Sequence, residues 1–129
     1  MIVLSAMRRL LILASAMVFF DVVFFSAIAP LLPGYVSALG LSKAEAGVLS
    51  ASYAAGTLVF SLPAGLLAAR LGPRGTVIGG LLTLGCASVV FGFADSFLLL
   101  DAARFAQGAA GALIWSGTLT WLILATSPD

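Results

Sequence analysis

Histidine is absent from the chain, cysteine occurs once, at Cys86, and charged residues make up only 9% of the 129 positions. Each scarcity removes a class of function. One thiol and no imidazole leave no Cys/His metal site and no disulfide framework. Cys86 lies in an apolar run and reads as a small packing residue. No nucleophile–base pair stands out, so neither an enzyme nor a bound cofactor is expected. A formal net charge of +1 without a basic run offers nucleic acid no electrostatic footprint. Soluble domains carry about 25% charged residues. A chain with 9% charged and 62% hydrophobic residues cannot build a water-facing surface, so its solvent is the lipid bilayer.

What fills the chain is a series of long apolar stretches. A helix crossing a bilayer needs about 20 mostly apolar residues. Four stretches meet that length, at about 10–33, 44–69, 75–94 and 97–126. Unpaired backbone is excluded from lipid, so helices are the expected form. The fold class is therefore an all-α membrane protein with four transmembrane helices. Arg8, Arg9 and Ala14-Ser15-Ala16 imitate a secretory signal, but the apolar run continues to Leu32. A removable signal has an apolar core of about 7–15 residues, so an uncleaved first span is expected.

The links are short, which makes neighbouring helices antiparallel. Gly34 to Glu45 joins the first two spans and holds a capping box, Ser42-Lys43-Ala44-Glu45. Arg70 to Arg74 joins the second and third. Ala94-Asp95-Ser96 joins the third and fourth, with Ser96 as N-cap. Arg8, Arg9, Arg70 and Arg74 fall on one side, which the charge rule makes cytoplasmic. The end, Thr126-Ser127-Pro128-Asp129, returns to that side. Small residues recur at packing intervals: Gly47 with Ala51 and Ala55, Gly75 with Gly79, Gly108 with Ala112.

One carboxylate interrupts the first span, Asp21 in Phe19-Phe20-Asp21-Val22-Val23-Phe24-Phe25. A charge at bilayer depth costs several kcal/mol unless it finds a partner or water. Asp21 is therefore either a proton or cation site, or a structural carboxylate bonded to a neighbouring helix. The phenylalanines beside it either line a pocket for apolar cations or face lipid. Trp115 and Trp121 are too far apart in the fourth span to share Asp21's depth, so only one of them faces a cavity there. At 1.5 Å per residue, Asp21 lies about 16 Å from the cytoplasmic edge. Arg104 lies about 10 Å from the outer edge of a core about 30 Å thick. The depths differ by only about 4 Å, so a direct or water-bridged pair is expected if the first and fourth helices adjoin. The other readings of Arg104 are a side chain reaching the interface, or a partner for Asp101 three residues earlier. Pro30 removes a backbone hydrogen bond to Ser26 and bends the first helix.

Three segments carry a family likeness. Gly65-Leu66-Leu67-Ala68-Ala69-Arg70-Leu71-Gly72-Pro73-Arg74 resembles the cytoplasmic loop of the major facilitator superfamily, Gly-x-Leu-Ala-Asp-Arg-x-Gly-Arg-Lys. Here Ala69 stands where the family has Asp, which removes the acid that engages the opposite half. Arg104-Phe105-Ala106-Gln107-Gly108 resembles the fourth-helix pattern Arg-x-x-Gln-Gly. Asp21 followed by Pro30 and Pro33 is similar to the first helix of the superfamily's drug:proton antiporters. The likeness spans about Leu10 to Asp129 and implies part of the N-terminal six-helix half of that fold.

By resemblance, Asp21, Arg104 and Gln107 bind proton or substrate. Gly65, Arg70, Gly72 and Arg74 form a gating loop, and Pro30, Pro33, Gly108 and Gly111 bend or pack helices. The implied function is proton-coupled efflux of drug-like or organic cations by alternating access. The implied location is a bacterial cytoplasmic membrane, with both termini cytoplasmic. Family members have two six-helix halves with the site between them. The chain is accordingly expected to be a fragment, whose partners are the bilayer, a small-molecule substrate, protons and the rest of the transporter. Two other readings stand: a complete four-span small multidrug exporter acting as a dimer, and a non-transport membrane subunit.

Overall fold

The computed structural model describes residues 2–127, and its regular structure there is helical: α1 (Ile2–Ser26), α2 (Ile28–Leu39), α3 (Lys43–Phe93) and α4 (Phe97–Thr126). The expected end at Pro128 and Asp129 lies outside the described residues. Three helical stretches are long and apolar enough to cross a membrane, Ile2–Leu39, Lys43–Phe93 and Phe97–Thr126, where the sequence reading expects four. The difference lies in α3.

A straight helix of 51 residues would extend about 77 Å, more than twice the bilayer core. α3 does not run straight. It breaks at Gly72, where φ is 80° and ψ 161°, so that one named element contains two arms. The loop expected over Arg70 to Arg74 shrinks to this one residue. Glycine alone takes that backbone geometry without strain. Pro73, which has no N–H to satisfy, starts the second arm. The first arm starts at the capping box: Ser42 Oγ accepts from the Glu45 N–H at 3.2 Å, and Glu45 Oε2 accepts from the Ser42 N–H at 2.7 Å.

α1 and α2 are separated by Ala27 alone. The missing Pro30 N–H leaves the Ser26 carbonyl without its helical donor, yet Ala27 keeps right-handed helical dihedrals (φ −62°, ψ −22°), so the chain passes from α1 into α2 without the marked bend expected at Pro30. Pro30 then sits in the first turn of α2 and Pro33 inside it, both exposed. α2 covers much of the link expected between the first two spans, and it ends at Gly40 in a left-handed conformation. α1 starts at Ile2, so Arg8 and Arg9 lie on a helix rather than in a tail.

Both arms of α3 pack on α4. Glycines let them approach to backbone contact. A side-chain carbon built at Gly56 would strike the Phe105 carbonyl, and one at Gly108 the Tyr53 carbonyl. On the second arm, a carbon at Gly80 would lie 2.8 Å from Ile114 Cγ1; one at Gly117 of α4 would lie 2.6 Å from Val77 Cγ2. The small residues expected to pack behave differently. Gly108 and Ala112 are buried, but Ala51 and Ala55 are exposed and nothing approaches Gly47 or Gly79. Gly75 meets only Leu71 Cβ, at 3.7 Å. Spacing defines a helix face; only the partner helix decides which face is covered. An apolar cluster of Ile28, Leu41, Leu49, Phe91, Leu100 and Ala103 ties all the helices but α1 together at one end. Leu84, Ala110 and Ile114, with Met17 of α1 against them, form a second cluster.

Candidate functional site

α1 presents one polar residue to the bundle. Asp21 is 3% exposed, whereas Phe19, Phe20 and Val22 to Phe25 on the same turns are exposed. α1 runs antiparallel to α4: Phe24 and Phe25 lie by Arg104, Asp21 by Trp115, and Met17 by Thr118. That register places a carboxylate against the small residue Gly111. A side-chain carbon there would lie 3.0 Å from Asp21 Oδ1 and 2.7 Å from Tyr53 Oη. Gly111, expected as a packing residue, therefore borders the carboxylate itself.

Asp21 is satisfied by neutral donors from two helices. The Tyr53 hydroxyl donates to Oδ1 at 2.9 Å, and the Trp115 indole N–H donates to Oδ2 at 3.1 Å. Of the two tryptophans it is Trp115 that faces the carboxylate, while Trp121 lies under the Arg74 guanidinium at 5.9 Å. A cavity of about 210 Å³ opens beside the carboxylate, lined by Asp21, Val22, Phe25, Tyr53, Thr57, Gly111 and Trp115. The rings of Phe25 and Tyr53 meet at 4.8 Å between centroids, tilted by 55°. Phe25 alone of the four neighbouring phenylalanines lines this space.

Arg104 is 1% exposed, so it does not reach the interface. Nor does it bond to Asp101, whose carboxylate accepts from Ser52 Oγ instead. The direct pair with Asp21 is not formed either. Arg104 Nη1 donates to Gln107 Oε1 at 2.8 Å and to the Phe24 carbonyl at 3.5 Å; Nη2 donates to the Phe25 carbonyl at 3.1 Å. These carbonyls belong to the last turn of α1. Next to Ala27, where the helical assignment lapses for one residue, the guanidinium takes up the carbonyls of the preceding turn. Gln107 continues the network, donating from Nε2 to Ser88 Oγ at 3.1 Å. The guanidinium carbon stands 4.8 Å from the Tyr53 ring centroid. Arg104 Nε, although buried, has no acceptor.

The structure thus gathers Asp21, Arg104, Gln107 and Gly111 around Tyr53, with Gly108 one turn away against the same helix arm. The other expected groups lie elsewhere. Gly65 and Arg70 are exposed on the first arm of α3, Gly72 makes its break, and Arg74 covers Trp121. Sequence reasoning passed over Tyr53 and Thr57. The signal was present: a tyrosine inside an uncharged apolar span needs a partner for its hydroxyl.

Comparison with known proteins identifies the family of the chain. The sequence profile described as Major Facilitator Superfamily matches residues 13–129. The MFS-type transporter ppzB of Metarhizium rileyi (strain RCEF 4871) is 34% identical over 106 residues, covering 78% of this chain and 22% of that protein. The Quinolone resistance protein NorA of Staphylococcus aureus (strain MRSA252) is 30% identical over 100 residues, covering 78% of this chain and 26% of that protein. The chain spans about a quarter of the length of the curated relatives it matches. No solved structure matches it. Apolar helices that bury a carboxylate and a guanidinium against a glycine-rich fourth helix thus meet a profile covering most of the chain, and this integral, multi-pass membrane protein belongs to the Major Facilitator Superfamily.

Proposed function

We propose that the chain is the N-terminal part of a transporter that expels small organic cations in exchange for protons, and that Asp21 is the group for which proton and cation compete. The observation that carries this reading is the carboxylate itself: ionisable, buried on α1, and bordered by an aromatic-walled cavity. An ionised Asp21 attracts a cation into that cavity, where the faces of Phe25, Tyr53 and Trp115 add attraction through their ring quadrupoles. A protonated Asp21 releases it. The names of the relatives, an MFS-type transporter and a quinolone resistance protein, support transport and efflux as the class of activity. The work is vectorial binding rather than bond chemistry.

The spans at about 10–33, 44–69, 75–94 and 97–126 are read as four crossings, with the arms of α3 as the second and third. We read the side that carries Arg8, Arg9, Arg70 and Arg74, with the Gly72 break and both termini, as the cytoplasmic side of a bacterial membrane, a reading the charge rule supports. Gly65, Arg70, Gly72 and Arg74 act there as a gate, though Ala69 withholds the family's acid from it. The remaining helices close the cavity and alternate its access. In the complete transporter, reconstituted in vesicles with ethidium as probe cation, Asp21→Asn is expected to abolish transport driven by a pH gradient while membrane insertion stays normal. Undiminished proton-driven transport in that variant would overturn the proposal.

A further inference from the structure

Asp21 and Arg104 carry opposite charges, both nearly sealed from solvent, on helices that touch. Coulomb attraction in a poorly screened interior rises steeply as such groups close. A formed pair would hold Asp21 ionised and occupied, with little left for a proton or a cation to compete with. The pair is nevertheless open. Arg104 even keeps a free donor at Nε, which would take an acceptor within reach.

One side chain touches both charges. The Tyr53 hydroxyl donates to Asp21 Oδ1 at 2.9 Å, and its ring lies 4.8 Å from the Arg104 guanidinium carbon. The ring face suits a cation and the hydroxyl suits an anion. Gly111 provides the space: any side-chain carbon there would collide with the Tyr53 hydroxyl and crowd Asp21. We propose that Tyr53, seated on Gly111, is a positioning residue that holds Arg104 away from Asp21 and so keeps the carboxylate exchangeable.

This inference rests on the reading of Asp21 as a proton site. Among the described residues, the titratable group in contact with Asp21 is Tyr53 from α3, and Arg104 from α4 lies against the ring of that same tyrosine. Asp101 of α4 is turned to Ser52, and Arg74 on the second arm of α3 to Trp121. On α2, Tyr35 donates to the Phe91 carbonyl at 3.3 Å. α1 offers Asp21 no other charge within its own turns.

The two roles of Tyr53 separate by mutation, and Trp115 reports the outcome, because its indole N–H bonds to Asp21. The test is a pH titration of tryptophan emission from the full chain in liposomes, with Trp121→Phe in every sample and helicity checked by circular dichroism. A transition is expected, and Asp21→Asn should remove it. Tyr53→Phe keeps the ring and loses the donor, so the transition should move to higher pH by about one unit. Tyr53→Ala loses the spacer as well, letting Arg104 reach the carboxylate, so the transition should move to lower pH by about one unit or more. If Asp21→Asn removes the transition but the two Tyr53 variants shift it the same way, or not at all, the spacer role is wrong and the proton site stands. If the parent chain shows no transition, the proton site itself is wrong and the spacer falls with it.

Discussion

Asp21 shows how a membrane interior tolerates a carboxylate without a countercharge. Two neutral donors, the Tyr53 hydroxyl and the Trp115 indole, meet its two oxygens. Arg104 is accommodated the same way, by carbonyls at the end of α1 and by Gln107. Such networks are exacting, because a partner removed leaves a buried group unsatisfied. Gln107→Leu strips an acceptor from Arg104 and a donor from Ser88. It is expected to lower stability by about 1–3 kcal/mol, measured by denaturant titration in micelles. Gly108→Ala drives a methyl into the Tyr53 carbonyl, which is backbone and does not yield. The same assay should show a loss of about 1–3 kcal/mol there, and a wild-type midpoint would mean that α3 and α4 do not touch at that point.

Among the elements, α3 is the one whose course depends on a single residue. Gly72 takes φ 80° and ψ 161°, a region that residues with a side chain avoid, and the second arm starts directly after it. Gly72→Ala is expected to cost about 1–3 kcal/mol. Gly75, three residues later, is an ordinary helical position with only Leu71 Cβ nearby, at 3.7 Å. Gly75→Ala should therefore be neutral, or stabilising by up to about 1 kcal/mol. Equal effects of the two substitutions in a thermal melt would remove Gly72 from its role as the turning point.

The whole molecule is read as a helical bundle whose charged residues, apart from the buried Asp21 and Arg104, sort to two ends. Arg8, Arg9, Arg70 and Arg74 gather at one, while Lys43, offset by Glu45, and Asp95 belong to the other. The proposed orientation is checked with single cysteines in a Cys86→Ala chain expressed in intact bacteria. A membrane-impermeant thiol reagent should label Lys43→Cys directly, and Arg70→Cys only after the membrane is opened. The reverse pattern would invert the topology. At this scale the chain is also lopsided. α4 is flanked by both arms of α3 and by α1, whereas Leu11, Ile12, Phe19 and Phe20 leave α1 with a broad apolar outer face.

Composition alone determined that lipid surrounds this chain, because 9% charged residues cannot cover a surface in water. The apolar lengths determined helices, since no other backbone satisfies its hydrogen bonds within one segment in lipid. The capping box at Ser42 and the N-cap at Ser96 set helix starts where local chemistry places them. Asp21 and Arg104 stood out because a charge at bilayer depth needs a reason. Tertiary structure decided what the periodic pattern leaves open. It chose Gly56, Gly80 and Gly117 over Gly47 and Gly79 as contact points, because contact needs a partner as well as a small residue. It gave Arg104 the Phe24 and Phe25 carbonyls of α1 as acceptors, which no local pattern predicts. It also set Tyr53 against both Asp21 and Arg104, a contact that a shared depth could not foretell, since depth says nothing about which third side chain reaches the site.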